Sequence, residues 1–359
     1  MQDSIPAGET KSTSPIQTHQ TVSKKEPTPE PNRKKPSQMQ IAKVMKELQP
    51  NIERSNALRL MGIQLVKELL RNVAERKPIE LQSIKDLVGE VINYFILQDK
   101  TLLSLFYEDY SPQDYLYHHL VNAMIMSVAV GLGLGYNKSQ LAELGLAALL
   151  HDIGMVTVKD IALQPRRLTE EEYNKIKEHP VYGATVLSGV KDFPKAIVNA
   201  IQEQHERING GGYPKGLKEA EITEYARIIA AVDVYEAFTH TRAYRGKYPP
   251  HEVIKDILSS GSSLFDNRIL KVLIDKIGVY PVSSWVELNT NEIGRVITTN
   301  DEFPLRPVVN IFFDGGGNRL KEPRVVDLSK QYNLFVKGPL SDEEVLRKIK
   351  EEVKNEESY

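Results

Sequence analysis

The stretch 147-AALLHDIGM-155 decides the fold class, because an apolar helix ends there in a histidine and an aspartate followed by glycine. Leu144, Ala148 and Asp152 fall at helical spacing, which predicts Asp152 on the buried face of this helix, with His151 beside it. A buried carboxylate without a partner is costly, since charge is poorly solvated inside a protein. The stretch therefore predicts a helical core in which another group compensates the aspartate.

The composition is that of an ordinary soluble globular protein, with 26% charged and 41% hydrophobic residues in 359. This length predicts about two or three domains. A net charge of -2 excludes the basic footprint that binding to DNA, RNA or a membrane surface requires. The chain has no cysteine, so nitrogen and oxygen atoms must hold any metal. No apolar run predicts a membrane span or a signal peptide, and we expect a cytoplasmic protein.

Changes in composition and periodicity predict five regions and a mainly α fold. Helical periodicity dominates as far as Val282, with Pro50 and Pro78 expected to interrupt it, and short β-rich runs follow. The predicted regions are a disordered leader (1–37), an N-terminal helical region (38–112), a helical domain (113–283), a small β-rich subdomain (284–337) and a charged C-terminal helix (338–359). The N-terminal helical region either forms a homodimer or packs on the next domain.

Five helical segments direct a histidine or an aspartate toward the core. His119 shares an apolar stripe with Leu116 and Ala123, and His179 precedes Pro180, which predicts His179 as a helix N-cap. A single buried histidine is more often a hydrogen-bonded structural residue than a ligand. Several such residues together favour a shared divalent cation such as Fe, Mn, Zn, Co or Ni. The candidate ligands are His119, His151, Asp152, His179, His205 and Asp233.

The order of these motifs resembles the HD-GYP family. The matching strings are His119, the dipeptide 151-HD-152, His179, 205-HERINGGGYP-214 and 233-DVYEAFTHTRAYR-245. This family is a branch of the HD metal-dependent phosphohydrolases and hydrolyses cyclic di-GMP. The resemblance runs from about residue 114 to residue 245 and implies an HD-type helical bundle.

The resemblance also implies two divalent metal ions, with Fe or Mn expected first. The first ion would be held by His119, His151, Asp152 and Asp233. The second would be held by Asp152, His179 and His205. Asp152 would thus bridge the two ions and orient the attacking hydroxide, while the pair of ions clamps the attacking and leaving oxygens of a phosphoryl displacement.

A second set of residues is implied to face the substrate. Arg242 and Arg245 are three residues apart, which predicts neighbouring positions on a helical face. Guanidinium groups bind phosphate through paired hydrogen bonds, so these residues and Tyr244 would contact the substrate, although an exposed basic turn is the alternative. Gly212 and Tyr213 belong to a loop that would face the substrate or dock a diguanylate cyclase (GGDEF) protein.

The sequence departs from the family pattern at several positions. Met155 stands where the family usually has a lysine, and a thioether cannot supply that charge. Gln204 stands where the family has a histidine, and its amide oxygen would be a weaker metal ligand. Tyr115 replaces a glutamate that supports a third metal in some members, which favours two metals. Asn209 and Glu236 replace aspartates, and we expect them to act behind the ligands.

Three functions remain compatible with these residues. The first is a metal-dependent phosphodiesterase that hydrolyses cyclic di-GMP to pGpG and onward to GMP. The second is a catalytically degenerate HD-GYP domain that binds a nucleotide or a partner and signals without turnover. The third is an HD phosphohydrolase acting on another nucleotide. We favour the enzyme because most metal ligands are retained.

Overall fold

A computed structural model describes residues 38–97, 101–104, 106, 110–111, 113–241, 245–260, 263–282, 284–300, 302–341, 343–345 and 347. The predicted leader and most of the predicted C-terminal helix lie outside these residues, as do Arg242 and Tyr244. Side chains of the first helix are described from Glu53 onward. The chain divides into residues 1–46 and residues 47–359, and the site described below lies within the second unit.

The predicted mainly helical architecture is confirmed. The helices of the described residues are α1 (Gln38–Ala74), α2 (Gln82–Ile96), α3 (Thr101–Ser104), α4 (Tyr115–Gly133), α5 (Lys138–Leu150), α6 (Lys159–Ala162), α7 (Glu170–Ile176), α8 (His179–Ser188), α9 (Lys195–Glu203), α10 (Glu224–Thr239), α11 (Pro250–Ser260) and α12 (Asn267–Ile277). Pro78 separates α1 from α2 as predicted. The expected interruption at Pro50 is wrong, since a helix can continue past a proline that costs it one hydrogen bond.

Helix α4 forms the centre of the helical core and packs against α2, α5, α10 and α12. Among the described helices it alone is long and apolar enough to cross a membrane, yet 72% of its most apolar window is buried inside the protein. Gly145 allows α5 to approach closely, because a Cβ there would lie 2.6 Å from Val88 Cγ1 and 3.0 Å from Val128 Cγ2. The end of α5 is thereby fixed against the residues of α4.

The C-terminal part is an antiparallel five-stranded sheet with strand order β4-β3-β2-β1-β5. Its strands are β1 (Trp285–Leu288), β2 (Ile293–Thr298), β3 (Val308–Phe313), β4 (Arg319–Asp327) and β5 (Val336–Leu340). Alternate residues such as Val309 and Ile311 are buried, as in a sheet with one face on a core. Residues 338–340, which the sequence assigned to the C-terminal helix, belong to β5, where an edge position tolerates Pro339.

Candidate metal centre

The HD dipeptide lies at a turn that follows α5. The helix ends at Leu150, and Asp152 precedes the 3-10 turn Ile153–Thr157. The turn therefore positions the carboxylate, whereas the sequence had predicted Asp152 on the buried face of the helix. Gly154 is required for this arrangement, because a Cβ there would lie 2.0 Å from the carbonyl oxygen of His179. The close approach brings the HD turn against the start of α8.

The sequence predicted His179 as the N-cap of α8. His179 is instead the first residue of this helix. Glu178 occupies the N-cap position, and Pro180 is the second residue of the helix. The N–H groups of the first turn have no partner within a helix, so proline is tolerated at more than one position there and does not define the start. The imidazole of His179 is 2% exposed and points toward the HD turn, with Nε2 3.0 Å from Asp152 Oδ1.

The structure brings together all six side chains that the sequence selected as candidate ligands. They form two groups of three, and within each group one donor atom per residue lies within 4.8 Å of the others. The first group is His119, His151 and Asp233, and the second is Asp152, His179 and His205. The residues come from α4, α8, α10 and the two turns that follow α5 and α9.

The two aspartates lie between the groups. Asp152 Oδ2 is 3.7 Å from His119 Nε2, while Asp152 Oδ1 faces His179. Asp233 Oδ1 is 3.5 Å from His119 Nε2, and its Oδ2 is 4.0 Å from His205 Nδ1. Each carboxylate thus faces both groups, and each side chain is 13% exposed. Neither carboxylate side chain is therefore fully sealed from solvent.

Three of the histidines have a fixed tautomer. Their Nδ1 atoms face acceptors that require a proton: His119 faces Glu236 Oε2 at 2.6 Å, His151 the carbonyl of Ala148 at 2.8 Å, and His179 the carbonyl of Ile176 at 2.7 Å. With the proton on Nδ1, the Nε2 atom of a neutral imidazole presents a lone pair. This is the arrangement that orients histidine ligands around metal ions.

These lone pairs converge. His119 Nε2 lies 3.1 Å from His151 Nε2, and His179 Nε2 lies 3.2 Å from His205 Nε2. The Nε2 atoms of neutral His119 and His151 are both unprotonated, so they repel each other unless a proton or another cation lies close to both. The Nε2 atom of His205 can instead carry a proton and donate it to His179. The donor set therefore fits a divalent metal in each group, and imidazole with carboxylate suits Fe, Mn and Zn.

The electrostatics keep Asp152 ionised and divide the four imidazoles, since the pKa is lowered for His151 and His205 and raised for His119 and, through Asp152, for His179. Burial opposes ionisation of Asp152, but the imidazoles of His151 and His179 hold the pKa of this carboxyl well below its ordinary value. Burial lowers the pKa of His151 and, to a greater extent, of His205. Burial also opposes a charge on His119, yet the carboxylate of Glu236 and both aspartates raise the pKa of this imidazole. In the absence of metal a proton on His119 stabilises the carboxylates, and metal binding would release it.

Gln204 is fully buried beside the HD turn. Its Nε2 donates to the carbonyl of His151 at 2.6 Å and lies 3.4 Å from Asp152 Oδ1. Its Oε1 is buried with no hydrogen-bond partner among the described residues. An unsatisfied buried acceptor costs about 1–3 kcal/mol, so this oxygen is available to a cation or a water in the centre.

A buried carboxylate supports the first group from behind. Glu236 is 0% exposed and accepts hydrogen bonds from Tyr110 Oη at 2.8 Å, Asn122 Nδ2 at 3.1 Å and Tyr115 Oη at 3.3 Å, besides the bond from His119. The sequence indicated a place for Glu236 behind the ligands but gave no signal for Tyr110 or Asn122. Asn122 reaches Glu236 through the packing of α4 against α10, whereas Tyr110 lies in the segment before α4.

The Gly-Tyr-Pro loop covers the second group. A Cβ on Gly212 would lie 2.5 Å from the carbonyl oxygen of His205, so glycine is required there. The Tyr213 ring stacks on the imidazole of His205 with 4.8 Å between centroids, and burial raises the pKa of Tyr213. Glu206, which sequence reasoning missed, is 2% exposed and accepts hydrogen bonds from two backbone N–H groups of the loop.

The sequence predicted Arg242 and Arg245 on one helical face. Arg245 does not lie on a helix. Helix α10 ends at Thr239, six residues earlier, and the next residue, His240, already has an extended backbone. The guanidinium of Arg245 donates to the carbonyl of Ala237 and lies over the rings of Phe238, at 4.5 Å, and Tyr248, at 4.9 Å.

Comparison with known families identifies two segments. Residues 109–269 match the HD domain, and residues 285–348 match a KOW domain associated with the HD domain. The first segment includes every residue of the two ligand groups. The second includes the whole antiparallel sheet.

Curated relatives and a solved structure are also similar. The chain is 32% identical over 253 residues to the cyclic di-GMP phosphodiesterase PA4108 of Pseudomonas aeruginosa, which covers 70% of this chain and 61% of the relative. It is 31% identical over 218 residues to the cyclic di-GMP phosphodiesterase PdeB of Borreliella burgdorferi, covering 60% and 55%. The chain thus spans about three fifths of the length of these relatives.

The fold is similar to that of Bd1817, an HDG"Y"P protein from Bdellovibrio bacteriovorus. The TM-score is 0.52 at 23% identity, over 67% of this chain and 80% of the other. At this identity the likeness concerns the fold alone.

Proposed function

This chain belongs to the HD-GYP family, and from that membership we propose that it is a metal-dependent phosphodiesterase that hydrolyses cyclic di-GMP, with either pGpG or GMP as the final product. The observation that carries the proposal is the close approach of four histidine Nε2 atoms and two carboxylates that each face both groups. Curated relatives named cyclic di-GMP phosphodiesterases support the choice of substrate.

Two divalent ions, Fe or Mn, would be held by the two groups. The proposed ligands of the first are His119, His151, Asp152 and Asp233, and those of the second are Asp152, His179 and His205, with Gln204 Oε1 as a weaker donor. When bound, such ions polarise phosphoryl oxygens and lower the pKa of bound water to about 7 in favourable cases.

The protein groups would orient the reaction. Asp152 accepts a hydrogen bond from the attacking water and keeps it in line with the scissile phosphorus–oxygen bond. The neighbouring imidazoles hold the pKa of its carboxyl well below the ordinary value, which favours the ionised, hydrogen-bond-accepting form. The amide N–H of Gln204 holds the HD turn, so that the carboxylate does not rotate.

The substrate side and the partners are part of the same proposal. Gly212 and Tyr213 would form the wall of the substrate site, and Arg242 and Tyr244 would contact the nucleotide. Arg245 would join them only by leaving the carbonyl of Ala237 and the rings of Phe238 and Tyr248. The Gly-Tyr-Pro loop also offers a surface for a diguanylate cyclase protein. We further propose a homodimer formed through the N-terminal helical region and a cytoplasmic location.

A second candidate is a domain that binds nucleotide and signals without turnover. Met155 and Gln204 favour it, because the first removes a cation expected near the scissile phosphate and the second replaces an imidazole ligand. Both candidates use the same residues, so turnover separates them.

The test is anaerobic turnover of cyclic di-GMP by purified protein loaded with Fe(II) or Mn(II), with metal content quantified. The His151→Ala, Asp152→Ala double variant is the blank. Metal-dependent pGpG that is absent from the blank supports the enzyme. If the protein binds about two metal ions per chain but forms no product, the enzyme hypothesis is wrong. The protein is then a binding domain or a phosphohydrolase that acts on another nucleotide.

A further inference from the structure

A cation beside the metal ligands would stabilise a substrate phosphate, and three positions among the described residues do not offer an available one. Met155 is uncharged. The guanidinium of Arg245 lies on two aromatic rings and donates to a backbone carbonyl. Arg207 donates to two backbone carbonyl groups and lies over the ring of Phe265 at 5.0 Å, which gives it a structural role.

Lys177 can supply the positive charge that Met155, Arg245 and Arg207 do not offer. It follows α7 directly and lies two residues before His179. Its ammonium lies 4.7 Å from the centroid of the Tyr173 ring and 5.7 Å from that of Tyr213. The Tyr213 ring stacks in turn on His205, so one aromatic ring separates this cation from a candidate metal ligand.

The charge of Lys177 is not neutralised by the described part of the protein. Its ammonium forms no ion pair with a described carboxylate, whereas Lys175, two residues earlier, pairs with Glu171 Oε1 at 2.8 Å. Two aromatic faces can hold an ammonium in place and leave its N–H donors available to an anion. The side chain is half-buried, which limits screening by solvent.

We propose that Lys177 binds a phosphate of the substrate beside the Asp152, His179 and His205 group and supplies the positive charge that Met155 lacks. This inference rests on the proposed function for the location of the substrate, but it requires only a phosphate ligand. Tyr173 and Tyr213 position the ammonium, and the ammonium donates to a non-bridging phosphate oxygen.

The test is calorimetric binding of inorganic phosphate to the full-length Mn(II)-loaded protein, compared with the variants Lys177→Met, Lys177→Arg and Lys175→Met. A charge-assisted hydrogen bond predicts a dissociation constant about tenfold higher for Lys177→Met. Lys177→Arg retains binding, and Lys175→Met, which removes a neighbouring charge of the same kind, behaves as wild type. Metal content and melting temperature should be equal in all four proteins.

Equal constants for Lys177→Met and Lys175→Met, or no phosphate binding by the wild type, would overturn the inference. Turnover of cyclic di-GMP is measured separately on the same preparations. A tenfold effect on phosphate binding without any turnover would remove the proposed function and leave the role of Lys177 standing. Turnover of cyclic di-GMP, together with an unchanged phosphate dissociation constant for Lys177→Met, would support the proposed function and overturn the role of Lys177.

Discussion

The two ligand groups differ in how firmly the protein holds them. In the first group His119 and His151 are 0% exposed, and the Nδ1 atom of each has a fixed acceptor. In the second group the side chain of His205 is 15% exposed, and its orientation depends on stacking with Tyr213. Because outer hydrogen bonds orient ligands in advance, we expect the first group to bind its metal more tightly.

The residues behind the two groups show the same contrast. Glu236 gathers hydrogen bonds from side chains of two further segments and directs one carboxylate oxygen at His119. Gln204 holds the HD turn by its amide nitrogen and leaves its oxygen unsatisfied. The hydrogen bonds of Glu236 are complete without a metal, whereas Gln204 Oε1 would gain a partner from a bound cation or water.

The largest effect is expected where the two groups meet. Asp152→Ala removes the carboxylate that faces both groups, so we expect both metals to be lost and turnover to fall by about a thousandfold or more. Metal analysis and product formation measure this, with Asp160→Ala, an exposed aspartate of α6, as control. Retention of one full equivalent of metal would show that the groups are independent.

Removal of the metal ions should have the second largest effect. A ligand present at about 1,000 times its Kd adds about 4 kcal/mol to the free energy of unfolding, so chelation should lower the melting temperature by several degrees. Differential scanning calorimetry with and without chelator measures this shift. The Asp152→Ala variant should show no shift, and a shift equal to that of the wild type would contradict a role of the centre.

Glu236→Gln tests the firmly held group alone. The change keeps the size of the side chain but weakens its hold on His119, and loss of such an outer partner should lower metal affinity by about 10–100-fold. Titration with Mn(II) should show the tighter of two binding steps weakened and the other unchanged. Glu143→Gln, which alters a bond to Tyr225 far along α5, is the matched control.

Gln204→His tests the less complete group and should have the smallest effect. An imidazole is a stronger ligand than an amide oxygen, so we expect the weaker binding step to tighten roughly tenfold, the equivalent of about 1.4 kcal/mol. Losing the bond to the carbonyl of His151 should lower the stability of the metal-free protein by about 1 kcal/mol. If the weaker step stays unchanged, Gln204 does not lie at the second ion.

The sequence predicted that the six candidate ligands lie together, because several are next to apolar helical faces and the order of the motifs resembles that of a known family. It could not predict Tyr110 as a partner of Glu236, since the two are 126 residues apart and meet only through the packing of helices. The position of Arg245 was predicted wrongly because nothing local marks the end of α10 at Thr239.

The central claim is that two divalent ions lie between the six side chains. The most direct measurement is a crystal structure of Mn(II)-loaded protein with anomalous scattering recorded near the manganese edge. We predict two anomalous peaks roughly 3.5–4 Å apart, with Asp152 in contact with both. A single peak, or two peaks that do not share Asp152, would contradict the two-metal centre.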